Sequence, residues 1–335
     1  MKAVVFDRHG DPAEVLQVRE VPDPTPGFRE VRVRLLAAPV NPSDVLTVEG
    51  NYGKLPKLPA TPGYEGCGVV EATGGGVLGW LRKGKRVAVI HQKGGTWAEQ
   101  CVVPAKHVVP VPDNVSDEQA AMFFVNPVTA IAMTRDVLAV PPGEWLLQSA
   151  AGSALGHMII RLGKMSGFKT INVVRRKEQA EELRRFGGDV CLSESDGPFE
   201  KQVMDATGGQ GVRFAVDPVG GATGTALARC LAKGGRLLLY GLLSGQSIEA
   251  DPRLMITNGA TIEGFWLSHW LPSQPVLKLL SVFKQVNRLL SDGSFKTEIA
   301  ATYPLEQIAQ AARQAQAAGR GGKVLLKISE RSTAR

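Results

Sequence analysis

Residues 41–53 read NPSDVLTVEGNYG. Asparagines, an aspartate, a serine and a tyrosine are crowded there among turn formers, more densely than an ordinary strand or helix favours. Tyr52 stands between Asn51 and Gly53, in a turn where its phenol is not expected to be core. A phenol held on a turn can donate a hydrogen bond, and a proton, to an oxygen on which negative charge builds, and it needs no metal to do so. The competing use is packing, with the ring on a neighbouring loop and the hydroxyl in water. Asn41 and Asp44 can orient a ligand, and Asn-Pro-Ser-Asp is equally a natural turn and helix-cap sequence.

A second set of residues suits a dinucleotide. LLQSAAGSALGHMII puts Gly152, Ser153, Ala154, Leu155 and Gly156 between a strand pattern and a helix pattern. Small residues there let backbone N–H groups and the helix dipole approach a pyrophosphate. The same glycines would also serve tight strand–helix packing alone. At the end of the next strand, about 20 residues on, a site selective for NAD would place an acid on the ribose 2′-hydroxyl. Arg175 and Arg176 stand there instead, and a guanidinium suits a 2′-phosphate. NADP(H) is therefore the expected cofactor.

Two kinds of element must carry these residues. Up to about residue 115 the chain reads as short strands and turns, including EVRVRLLAAPV with Val31, Val33 and Leu35 on one face. From Ser116, with Glu118 and Gln119 after it, a helix start is expected. Strands and helices then alternate: EWLLQSA, a helix closed by Gly167, KTINVVRR, KEQAEELRRFGG, and on to RLLLYGLL and an aromatic strand GFWLSHW. Buried strands joined by crossover helices make a doubly wound parallel sheet, so the class is α/β. The C-terminal segment is expected to return to the first domain, with only ERSTAR as a frayed end.

Composition bounds the partners. With 335 residues, 44% hydrophobic, the chain can bury a large core. The formal charge of +7 is scattered and forms no basic tract, so a phosphorylated small ligand is expected and nucleic acid is not. Cys67, Cys101, Cys191 and Cys230 show no ligand spacing, which fits a reducing, cytoplasmic compartment. His91, His107, His157 and His269 show none either. The N-terminus MKAVVFDRHGD reads as neither signal nor transit peptide, and no apolar run is long enough to span a bilayer. No membrane partner is expected.

The order of a β domain, a nucleotide domain with AAGSALG and a returning segment resembles the medium-chain dehydrogenase/reductase superfamily over essentially the whole chain. That resemblance implies a GroES-like, mostly β catalytic domain at 1–115 with 266–335, and a Rossmann-type NADP(H)-binding domain at 116–265. Zinc-dependent members carry a Cys, a His-Glu pair and a further Cys. Here NPSD stands at the first position, Tyr64 of PGYEG at the His, and VNPVTA has no thiol, so no metal is expected.

The sharper resemblance is to the 2-enoyl thioester reductases, the mitochondrial trans-2-enoyl-CoA reductase group and its bacterial relatives. It rests on NPSD with GNYG, GTWAE (95–99), VNPVTA (125–130), INVVRR (171–176) and GFWLSHW (264–270), of which NPSD is shared with quinone reductases. The resemblance implies NADPH-dependent reduction of an acyl thioester of CoA or acyl-carrier protein, with Tyr52 and Asn41 catalytic. It implies Asn126, Thr129 and Trp97 near the nicotinamide. Trp97, Phe265, Trp266 and Trp270 would line the substrate pocket, although an aromatic strand is by default sheet packing. Lys54, Lys57 and Arg320 are available to a phosphopantetheine or an acidic carrier. A homodimer is expected, the apolar RLLLYGLL being a poor edge to leave exposed. The rival readings are an NADPH:quinone oxidoreductase, an RNA-binding protein that holds NADPH without catalysis, and a zinc alcohol dehydrogenase, which conflicts with the missing ligands.

Overall fold

The computed structural model describes residues 1–317, 319 and 321–331; Arg320 and 332–335 lie outside the described residues. The chain divides into two compact units, Met1–Val125 with Leu280–Arg335, and Asn126–Leu279. The first division falls after Val125 rather than near 115. Helix Asp117–Ala121 packs on strands Glu30–Pro39, Glu65–Thr73 and Arg86–Ile90, and the rings of Phe123 and Phe124 meet Phe283 at 6.1 and 5.4 Å. Those contacts hold 116–125 and the segment from Leu280 in the same unit.

The first unit is built on a seven-stranded sheet. Its order is Ile299–Pro304, Lys323–Lys327, Glu30–Pro39, Glu65–Thr73, Arg86–Ile90 and Val108–Pro110, with Gln100–Pro104 also paired to Glu30–Pro39. Alternation in Glu30–Pro39 buries Val31, Val33 and Leu35 against Val70, Val87, Val89 and Val103. From Leu35 onward every residue of that strand is buried. There Ala38 and Val40 join a second core with Phe6, Trp97, Ile308 and Leu326.

The second unit is a six-stranded sheet in which every pairing is parallel. Its order is Val190–Ser193, Lys169–Val174, Trp145–Gln148, Val212–Asp217, Leu231–Leu239 and Thr261–Gly264. Counted along the chain this is 3-2-1-4-5-6, the doubly wound dinucleotide-binding order. Its direction reverses beside Trp145–Gln148, where ligands of such sheets bind.

Three local expectations are corrected. NPSDVLTVEG is a helix, Pro42–Glu49, with Pro42 in its first turn and Gly50 ending it at φ 87. RLLLYGLL is no edge: strand Leu231–Leu239 is paired on both sides, and the edge on that side is Thr261–Gly264. GFWLSHW is not a strand. The ladder ends with the pair Leu239–Gly264 and the Phe265 N–H donating to Leu239 O at 2.8 Å; from Trp266 the chain turns into helix Leu267–Ser273, with the N–H groups of His269 and Trp270 donating to the Trp266 carbonyl.

Candidate functional site

In the first unit, helix Pro42–Glu49 is anchored at its start by buried polar groups. The Asn41 N–H donates to Asp44 Oδ2 at 2.8 Å, and the Tyr64 N–H donates to Asp44 Oδ1 at 3.1 Å. Asn41 Nδ2 donates to Glu65 Oε1 at 2.9 Å, and Lys323 Nζ donates to Asn41 Oδ1. Glu65 Oε2 accepts from the N–H groups of Phe124 and Val125, both at 2.9 Å. Asn41, Asp44, Glu65 and Lys323 are all buried. Burial pushes both carboxyls up, Asp44 to about 7; the neighbouring carboxylate adds to the rise at Asp44, and the Lys323 ammonium opposes it at both. These partners give the Asn41 side chain a positioning use at the helix start. Its amide is engaged at both ends, by Glu65 and Lys323, and so helps to fix the helix.

Tyr52 follows the other end of that helix. The Gly50 N–H donates to the Thr47 carbonyl and the Asn51 N–H to Leu46 O at 2.8 Å, which closes the last turn and sets the chain direction into Tyr52. The phenol is half-buried, and its ring centre lies 6.0 Å from that of Tyr64. The Tyr64 hydroxyl is 2.7 Å from Thr47 Oγ1, which itself donates to the Ser43 carbonyl at 2.8 Å. Tyr64 is thus the donor of that pair. Burial pushes its hydroxyl up to about 12, so it keeps its proton.

Trp97 is also corrected. It is fully buried in the core with Phe6, Val40 and Leu326, and its indole N–H donates to Pro39 O at 3.1 Å; it is a core residue and no wall of an open pocket. Lys54 and Lys57 are exposed. Among the described residues no three His, Cys, Asp or Glu side chains come together to hold a metal ion. Burial pushes the Cys67 and Cys101 thiols up to about 12, which keeps them protonated.

In the second unit, Ser153 caps helix Ala154–Ser166, its hydroxyl accepting from the Gly156 N–H at 3.1 Å. A Cβ on Gly156 would lie 2.3 Å from Ala151 O, so only glycine lets the helix start this close to the strand. The N–H groups of Gly152, Ala154 and Leu155 meet no acceptor among the described residues. They are the unpaired donors of a helix start, suited to a pyrophosphate. Arg175 and Arg176 are both exposed at the end of strand Lys169–Val174, and neither guanidinium is paired among the described residues. This donor set fits a dinucleotide with an extra phosphate.

Asn126 is half-buried and Thr129 buried on helix Val125–Ile131. Phe265 is buried, while Trp266 and Trp270 are half-buried. Trp266 packs on His269 with ring centres 4.4 Å apart, and Lys278 lies 5.8 Å over the Trp270 ring.

Comparison with known proteins assigns the framework. Residues 27–113 match the alcohol dehydrogenase GroES-like domain family, and residues 154–282 match the zinc-binding dehydrogenase family. The chain is 34% identical over 317 residues to the mitochondrial enoyl-[acyl-carrier-protein] reductase of Rattus norvegicus, covering 93% of this chain and 84% of that one. The Homo sapiens enzyme of the same name is 35% identical, covering 81% and 73%. The chain belongs to the zinc-independent medium-chain dehydrogenases/reductases, beside the 2-enoyl thioester reductases. A solved structure from Bacillus thuringiensis, provisionally assigned as an NADPH:quinone reductase, matches with a TM-score of 0.91 and 33% identity over 98% of this chain and 99% of that one.

This medium-chain dehydrogenase/reductase is an oxidoreductase that uses a nicotinamide cofactor. Its network of Asp44, Glu65 and Lys323 was missed as a unit in the sequence. PGYEG pointed to Tyr64 and Glu65 only as the positions of a metal ligand and its neighbour. Lys323 lies 282 residues from its partner Asn41, and no local pattern marks it.

Proposed function

We propose that the protein reduces the C2–C3 double bond of 2-enoyl thioesters, of CoA or of an acyl-carrier protein, with NADPH and one proton, giving the saturated thioester and NADP⁺. Three backbone N–H groups at the Gly152 turn and the Arg175 and Arg176 guanidiniums would hold NADPH, which when bound supplies hydride for the β-carbon. Charge then builds on the thioester oxygen. Tyr52 donates a hydrogen bond to that oxygen and supplies or relays the proton to the α-carbon.

The observation that supports this reading is the setting of Tyr52. Its phenol is half-buried on a turn fixed by Gly50, against a second tyrosine that remains neutral. The names of the relatives point the same way. The match to a protein assigned as a quinone reductase favours a second reading, NADPH:quinone oxidoreduction. The test is NADPH oxidation by purified protein with crotonyl-CoA, a longer 2-enoyl-CoA and a small quinone, with the acyl product identified by mass. Saturated acyl-CoA formed in step with NADPH loss is expected; turnover confined to the quinone would replace the proposal by the second reading.

A further inference from the structure

The chemistry proposed above makes no use of an exposed apolar face on the first unit, where helix Val77–Arg82 contacts strand Glu65–Thr73. The helix touches the strand through Gly79, its one buried residue, where a Cβ would sit 2.2 Å from Thr73 Oγ1. Such close contact turns the large side chains outward. Val77 is 79% exposed, Trp80 62% and Leu81 63%. Phe28, 71% exposed, belongs to the same face, since a Cβ on Gly75, just before the helix, would meet its ring at 3.6 Å.

Cations stand among these side chains. The Arg29 guanidinium lies 5.2 Å over the Phe28 ring and the Lys83 ammonium 5.5 Å over the Trp80 ring; Lys85 follows, also exposed. None of the three forms an ion pair among the described residues. The acids on the adjoining strands are already engaged: Glu71 pairs with Arg34 at 2.8 Å, and Glu30 accepts from the Gly27 N–H at 2.9 Å.

Four large exposed apolar side chains, with unneutralised cations beside them, are costly to leave in water. We propose that this face seats the protein peripherally on an anionic lipid bilayer. The indole and apolar tips enter the headgroup boundary, and Arg29, Lys83 and Lys85 meet lipid phosphates. Exposed side chains suit a fluid surface that yields around them, whereas a folded protein partner would have to present a matching groove. No helix of the described residues is long and apolar enough to cross a membrane, and surface seating requires none.

The test is flotation of the full chain with vesicles of phosphatidylcholine alone and of equimolar phosphatidylcholine and phosphatidylglycerol, at low and high salt. Binding to the anionic vesicles only, weakened by salt, is expected. It should fall about tenfold or more in Lys83→Glu/Lys85→Glu, and fall likewise in Trp80→Ser/Leu81→Ser. Circular dichroism and NADPH oxidation should stay at wild-type values in both variants, which separates loss of seating from loss of fold. No binding to anionic vesicles at low salt, or equal binding by wild type and both variants, would overturn the proposal. Retention on an immobilised acidic carrier protein that the same variants lose, with vesicles ignored, would overturn it in favour of a protein partner.

Discussion

A phenol serves as a proton donor only while it keeps its proton. The hydroxyl of Tyr64, the neighbour of Tyr52, is pushed up to about 12, chiefly by burial, with the charge of Asp44 adding to the rise. The two guanidiniums at the end of strand Lys169–Val174 are testable together. Replacing Arg175 by Asp and Arg176 by Ser should weaken NADPH binding by about tenfold or more for each guanidinium lost, and leave NADH binding nearly unchanged. Fluorescence titration with both cofactors checks this, and an equal loss for both would contradict the 2′-phosphate assignment. Asp44 makes a prediction in pH. Its folded-state carboxyl is raised to about 7 by burial, against about 3.9 unfolded, so its contribution to stability is complete below about pH 4 and is lost as pH rises through about 7. The stability of wild type minus that of Asp44→Asn should therefore shrink with rising pH across that window. His91, lowered to about 4 by burial, acts in the opposite direction, its contribution being lost as pH falls from about 6.5 toward 4; it is common to both proteins and cancels in the difference. Urea denaturation at a series of pH values measures it, and a constant difference would contradict the shift.

At the scale of elements, one helix connects the two ends of the first-unit site. Asp44 and Glu65 fix the start of Pro42–Glu49, Gly50 ends it, and Tyr52 follows. Glu65→Ala would leave the Asn41 amide and the Phe124 and Val125 N–H groups without the carboxylate that accepts from them. A loss of about 3–5 kcal/mol is expected in urea denaturation, with Glu65→Gln milder because it keeps an acceptor oxygen. A loss below about 1 kcal/mol would show that the network carries little of the helix's anchorage. Legibility at this scale followed the range of the interactions. Helix Ala154–Ser166 was readable because its cap Ser153, its apolar stripe and its closing Gly167 are local signals. GFWLSHW was misread as a strand because its residues suit a sheet, while the partner strand that would have extended the ladder ends at Leu239. NPSDVLTVEG was misread as too rich in turn formers, although Asn, Pro and Asp at its first positions are what a capped helix start uses.

Over the whole molecule, alternation of buried strands with amphipathic helices made the parallel sheet of the second unit legible, and period-two patterning did the same for the first. Which strand forms the edge was not legible, because Leu231–Leu239 and Thr261–Gly264 pair through register that hydrophobicity does not encode. The site was legible in proportion to how locally its chemistry is written. Gly152, Gly156, Arg175 and Arg176 stand in one strand–turn–helix–strand stretch, so their proximity could be read from local spacing alone. Asn41 and Trp97 were assigned to the site, but their partners lie far along the chain: Glu65 and Lys323 for one, Pro39 and the second core for the other. The central claim is that Tyr52 completes the reduction of an enoyl thioester. Its most direct test is NADPH oxidation by wild type and Tyr52→Phe, with crotonyl-CoA and a small quinone measured side by side. The account predicts that kcat on crotonyl-CoA falls about a hundredfold in the variant while quinone turnover and NADPH affinity stay near wild type; equal rates on crotonyl-CoA in the two proteins would contradict it.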